Sequence, residues 1–172
     1  MTSGYLPTFL KVINKLPNTA VSGILTMSSV LVVCTAPLVG YLSDKVSRTT
    51  IFLSIGLLAI GLVSASYMQL ASETDSTMIL IYCLVISFLG NASYAPLLIF
   101  LNERFPTSLR ATGTAMSWNV GFAIGGMMPA VVSLLSGSLG NPPVALSVSL
   151  AGAFLVYLIG AMLVPETRGK FR

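Results

Sequence analysis

The sequence predicts an all-α membrane protein, five transmembrane helices in an up-down bundle preceded by the stub of a further helix. Five long apolar runs, Val21–Leu42, Ile51–Leu70, Met78–Leu101, Ala111–Leu135 and Val144–Val164, contain no Asp, Glu, Lys, Arg or His. Short polar loops separate them. Composition agrees, since 55% of the residues are hydrophobic and only 8% charged, against roughly a quarter charged in soluble domains. At about 1.5 Å rise per residue, twenty residues cover roughly 30 Å, the hydrocarbon thickness of a bilayer. A core helix of that length in a water-soluble protein needs a polar face, and none of these runs has a charged one.

Along the chain, Gly4–Leu10 is apolar but too short to cross and reads as the outer end of a helix whose remainder is missing. With no basic residue in Met1–Leu10, it does not read as a secretory signal. Pro17 and Asn18 then suit a stop and a fresh helix start. The later turns are Ser43–Thr50, Ser72–Thr77, Asn102–Arg110 and Ser136–Pro143. Turns this short place successive spans antiparallel, within one helical membrane domain over residues 1–172. Lys45, Arg48, Arg104, Arg110, Arg168, Lys170 and Arg172 all fall on one side, against Lys11 and Lys15 on the other, where Glu73 and Asp75 also lie. That asymmetry predicts a multi-pass protein of the cell membrane with its N-terminus outside and C-terminus cytoplasmic. The net charge of +4 therefore records topology, and no nucleic-acid partner is expected. Cys34 and Cys83 lie roughly 20 Å and 8 Å from the outer ends of their runs, too far apart in depth for a disulfide, and read as small apolar fillers.

Three charged signatures close the spans on the basic side. Gly40-Tyr-Leu-Ser-Asp44-Lys45-Val-Ser47-Arg48 ends the first span; Glu103-Arg104-Phe105-Pro106-Thr107-Ser-Leu-Arg110-Ala111-Thr112-Gly113 leads into the fourth. Pro165-Glu166-Thr167-Arg168-Gly169-Lys170 follows the fifth. Together they resemble the major facilitator superfamily, particularly its sugar-porter and metabolite–proton symporter branches. The resemblance covers essentially the whole chain and places it from the end of helix seven through helix twelve. The first signature looks like that family's Gly-x-x-x-Asp-basic-x-Gly-basic-basic loop, with Ser47 for its second glycine and Thr49 for its last basic residue. The resemblance implies that Gly40, Asp44, Lys45, Arg48, Glu103, Arg104, Arg110, Glu166 and Arg168 form a cytoplasmic gate. Asp44 stands where a helix N-terminus would favour an anion. Glu103 and Arg110 flank Pro106, so a folded-back loop would pair them. The plainer alternative is that these charges only anchor helix ends.

Candidate solute contacts lie where the third span is interrupted, at Gly90-Asn91-Ala92-Ser93-Tyr94-Ala95-Pro96. Gly and Pro loosen a helix, and carriers place solute at such midplane breaks. Helical spacing puts Ser87, Asn91 and Tyr94 on one face. Trp118 and Asn119 fall about 10 Å from the cytoplasmic end and Asn91 about 15 Å, close enough for two helices to share a cavity. The substrate-binding candidates are thus Asn91, Tyr94 and Asn119, the last also matching an Asn common in the resembled symporters. Asn91 and Tyr94 equally suit interhelical hydrogen-bond glue, and glue is the reading for Ser22, Thr26 and Ser29. Trp118 reads as packing. Gly121-x-x-x-Gly125-Gly126 predicts close approach of a second helix, with Pro129 and Pro37 supplying bends.

The function implied is transport of a small polar organic solute by alternating access, as part of a secondary carrier that is incomplete alone. Its partners would be membrane lipid, the solute, protons where coupling exists, and an N-terminal six-helix half or a second copy. Coupling acids would lie outside these spans, because no ionisable group is inside them. A truncated or partner-binding subunit without transport is the alternative. An enzyme would need His, paired acids or an activated Ser, and no cofactor or metal site is expected, since the chain has no His.

Overall fold

The computed structural model describes residues 2–163, without the side chains of residues 2–4, 138 and 139. Seven helices occur among the described residues: α1 (Thr2–Val12), α2 (Asn18–Lys45), α3 (Arg48–Ser72), α4 (Ser76–Asn91), α5 (Tyr94–Arg104), α6 (Arg110–Leu139) and α7 (Pro142–Leu163). Five stretches are long and apolar enough to cross a membrane, with α4 and α5 together making the third. The first four spans run past the apolar runs by a few residues at their ends.

Local chemistry sets each boundary. Pro17, with extended backbone, precedes α2. Ser47 accepts a hydrogen bond from the Thr50 amide at 3.4 Å and caps α3. The serine that departs from the glycine of the resembled loop therefore starts a helix here. Asp75 caps α4 by accepting from the Thr77 amide at 2.9 Å. Gly140 closes α6 at φ 64°, and its amide donates to the Ser136 carbonyl at 2.9 Å. That left-handed backbone disfavours a side chain, which explains glycine at the turn. The α4–α5 break follows from Pro96, which has no amide to donate to the Ala92 carbonyl one turn earlier. Ala92 and Ser93 keep right-handed helical angles, so α5 resumes in the same span.

α3 packs against α7 and α4, α2 against α4 and α5, and α6 against α7 and α5. The largest core cluster joins Leu6, Phe9 and Leu10 of α1 to Val63, Tyr67 and Leu70 of α3, Ile79, Cys83 and Ile86 of α4, and Leu146 and Leu150 of α7. The short apolar piece at the start is thus a helix whose side chains enter the core, with Phe9 edge-on to Tyr67 at 5.3 Å. Asn14, just past it, donates to the Leu70 carbonyl at 2.7 Å and ties α1 to the end of α3. At Gly56, an added Cβ would stand 2.5 Å from Leu158 and 2.9 Å from Tyr157, so the α3–α7 contact requires glycine. α6 differs from the other spans: Val132 is its buried core residue, while Met116, Val120, Ile124, Met127 and Leu134 stand exposed.

Candidate functional site: an aromatic groove and a charged end

Two features stand apart from ordinary helix packing. The first is a groove of about 550 Å³ between α1, α5 and α6, lined by Tyr5, Tyr94, Trp118 and Phe122, three glycines, Leu97, Leu101, Ser117 and Pro129. Tyr94, the first residue after the break, meets Trp118 edge-on at 5.6 Å, and Trp118 lies 5.3 Å from Phe122. Gly121, Gly125 and Gly126 form the floor, and an added Cβ on any of them would meet nothing within 4 Å. The glycine stripe therefore opens space here, where helical spacing had suggested close contact with a second helix. Closely approached glycines are Gly56 and Gly113 instead, where an added Cβ on the latter would stand 2.5 Å from the Phe105 ring. Trp118 is likewise a groove wall as well as a packing residue.

The three candidate solute residues separate. Tyr94 faces the groove. Asn91 donates to the Ser87 carbonyl at 2.8 Å, while Ser87 is buried. Asn119 lies on the exposed flank of α6 with Ala115, Met116 and Val120, and donates to the Ala115 carbonyl at 2.8 Å. Residues 92 and 93 keep helical angles, yet the Asn91 amide turns back onto its own helix and does not line the groove. On α6 the adjacent positions 118 and 119 point about 100° apart, as helix geometry demands. Ser22, Thr26 and Ser29 are exposed and donate to the Asn18, Ser22 and Leu25 carbonyls of their own helix, rather than across to a neighbour. Cys34 and Cys83 are both free thiols, but only Cys83 fills core space, since Cys34 is exposed.

The second feature is the charged end. Arg48 is buried, and its Nη2 lies 2.6 Å from Glu103 and 3.0 Å from Asp44, tying the start of α3 to the ends of α5 and α2. Its Nε and Nη1 are buried without a hydrogen-bond partner among the described residues. Glu103 thus pairs with Arg48, where the spacing around Pro106 had suggested Arg110. Among the described residues no ion pair involves Arg110, which is exposed at the start of α6. The loop does fold back, but Phe105 rather than a charge makes the contact, against Gly113. Gly40 is buried, and a Cβ there would lie 3.7 Å from Ala95 and 3.9 Å from Ile99, bringing α2 against α5 just above Asp44. Lys45 sits 4.7 Å over the Tyr41 ring, and Arg104 is exposed at the end of α5. Glu166 and Arg168 lie outside the described residues. Arg48 was legible as a motif residue, but its role as the hub was not, because burial is a property of three packed helix ends.

With these features in place, the relatives can be weighed. The chain is 35% identical over 128 residues to a protein of Cupriavidus pinatubonensis named "Probable 4-methylmuconolactone transporter", covering 74% of this chain and 29% of that protein. It is 31% identical over 154 residues to the alpha-ketoglutarate permease of Escherichia coli, covering 86% of this chain and 34% of the permease. The chain therefore spans about a third of the length of these curated relatives. No solved structure matches it significantly. These relatives are named as transporters or permeases rather than enzymes. The family model of the Major Facilitator Superfamily matches residues 1–171, and the chain belongs to that superfamily.

Proposed function

We propose that this chain is the C-terminal half of a secondary carrier, a single helical domain that moves a small polar organic solute by alternating access. The observation that carries the reading is α6. This helix is long and apolar enough to cross a membrane, yet only 6% of its most apolar stretch is buried, and the aromatic groove opens beside it. In such carriers two bundles rock about a site near the bilayer midplane, so a bare wall next to a broken span fits the surface that faces the second bundle. That bundle would be a six-helix N-terminal half or a second copy.

In this reading Tyr94 contacts solute, Asn91 supports the break from below, and Asn119 meets the opposing bundle. The groove lining offers ring faces and hydroxyls but no Lys, Arg, Asp or Glu. A charged group on the solute, and any coupling proton, would be met by residues of the other bundle. The names of the relatives agree with a small organic metabolite. The Asp44–Arg48–Glu103 cluster draws three helix ends together and acts as the cytoplasmic latch, with the N-terminus outside and the C-terminus inside, as the positive-inside asymmetry supports.

The test is uptake of radiolabelled α-ketoglutarate and a panel of neutral metabolites into vesicles holding this chain alone, or with a six-helix N-terminal half. Uptake is expected only with the second half and is lost in Tyr94→Ala. Gradient-driven uptake by the pure, demonstrably monomeric chain would overturn the half-carrier reading. A stable complex without uptake of any panel member would favour a partner-binding subunit.

A further inference from the structure

The groove takes its shape from α1, α5 and α6. α7 contributes nothing to its lining, yet one of its residues reaches the break that aims Tyr94. Tyr157 shares a hydrogen bond of 2.7 Å with the Ser93 hydroxyl. Ser93 lies in the two-residue turn between α4 and α5 and directly precedes Tyr94. That turn is where the helical ladder is weakest, because Pro96 has no amide for the Ala92 carbonyl.

Tyr157 is itself held firmly. Its ring stands edge-on to Phe52 of α3 at 6.3 Å and to Phe154 at 6.4 Å. Glycine at 56 leaves the room it needs, since a Cβ there would come within 2.9 Å of the ring. A continuous line of contacts therefore runs from α3 through Tyr157 and Ser93 to Tyr94, and from Tyr94 edge-on to Trp118 in the groove. A hydroxyl on an otherwise aromatic surface has few ways to satisfy its hydrogen bond, which favours keeping this one.

We infer that Tyr157 is a positioning residue for solute binding: its hydrogen bond to Ser93 fixes the break of the third span so that Tyr94 stands against Trp118 at the groove. The inference rests on the reading of that groove as the solute site. It is otherwise independent of the charged end and of the second bundle.

Trp118 is the one tryptophan in the chain, so its fluorescence in detergent-solubilised protein reports the groove directly. Tyr157→Phe keeps the ring and deletes the hydrogen bond. We expect a red-shifted Trp118 emission and faster quenching by acrylamide, in the direction set by Tyr94→Leu. Ser93→Ala should give the same change, and the double variant no more than either single one. Ser93→Thr, which restores a hydroxyl, should return emission to the wild-type position. Unchanged emission in Tyr157→Phe, even with lowered thermal stability, would reduce Tyr157 to a structural residue and overturn the inference. Additive shifts in the double variant would overturn it as well. The underlying groove reading fails separately: in a background of Cys34→Ala and Cys83→Ala, a Ser117→Cys thiol should react with a water-soluble methanethiosulfonate. Absence of labelling would remove the groove from any solute path and the solute-binding role with it, whatever the fluorescence shows.

Discussion

Glu103→Gln and Asp44→Asn both remove a carboxylate from Arg48, but they should differ severalfold in cost. The Arg48 side chain is 6% exposed, Glu103 24% and Asp44 58%. Removing one partner of a buried ion pair costs about 3–5 kcal/mol, because the remaining charge stays desolvated and unpaired. Exposed pairs contribute about 0–1 kcal/mol. Glu103 keeps some contact with solvent, which places Glu103→Gln near the low end of the first range, about 3 kcal/mol. Asp44→Asn should cost about 1 kcal/mol or less, since solvent already screens that carboxylate. Two of the Arg48 nitrogens have no partner among the described residues, so Arg48 has little reserve when Glu103 loses its charge. Replacing both members, Arg48→Met with Glu103→Gln, should recover most of the loss, because no charge then remains buried without its mate. The assay is equilibrium unfolding in mixed detergent micelles, followed by far-ultraviolet circular dichroism and by Trp118 emission. Equal costs for Asp44→Asn and Glu103→Gln would refute the argument. So would an Arg110→Ala loss as large as that of Glu103→Gln, since Arg110 would then be the partner that matters.

Glycine substitutions test where helices touch. Gly113→Ala should lose about 1–3 kcal/mol in the same assay, because its Cβ lands 2.5 Å from the Phe105 ring. Gly121→Ala, with nothing within 4 Å, should leave stability unchanged or slightly raised through better helix propensity. Cysteine accessibility tests the faces of the third span: Leu89→Cys, at 5% exposure, should resist a water-soluble thiol reagent that labels Tyr94→Cys, in a background lacking the native thiols. Equal labelling would show that Leu89 and Tyr94 do not lie on a buried and an open face of the span. A reporter fused after Arg172 should read cytoplasmic and one inserted at Asp75 external, and the reverse result would invert the proposed orientation.

What the sequence by itself determined is the architecture. Span number and length follow from charge-free apolar runs, because a bilayer accepts little else, and a break near Ala92 follows from a proline that cannot donate. Those are properties of a chain in a solvent, requiring no partner. Which residues meet was decided only by the packed bundle. Glu103 took Arg48, 55 residues away in sequence, rather than Arg110, because the start of α3 meets the ends of α2 and α5. Gly121 and Gly125 turned out to floor an open groove, while Gly56, outside any small-residue motif, carries the tight contact. Spacing along one helix specifies a face but not what that face meets. The partnership of Tyr157 with Ser93, 64 residues away, has no signal in either local sequence, since it depends on α7 crossing the third span at the turn that Pro96 leaves unladdered.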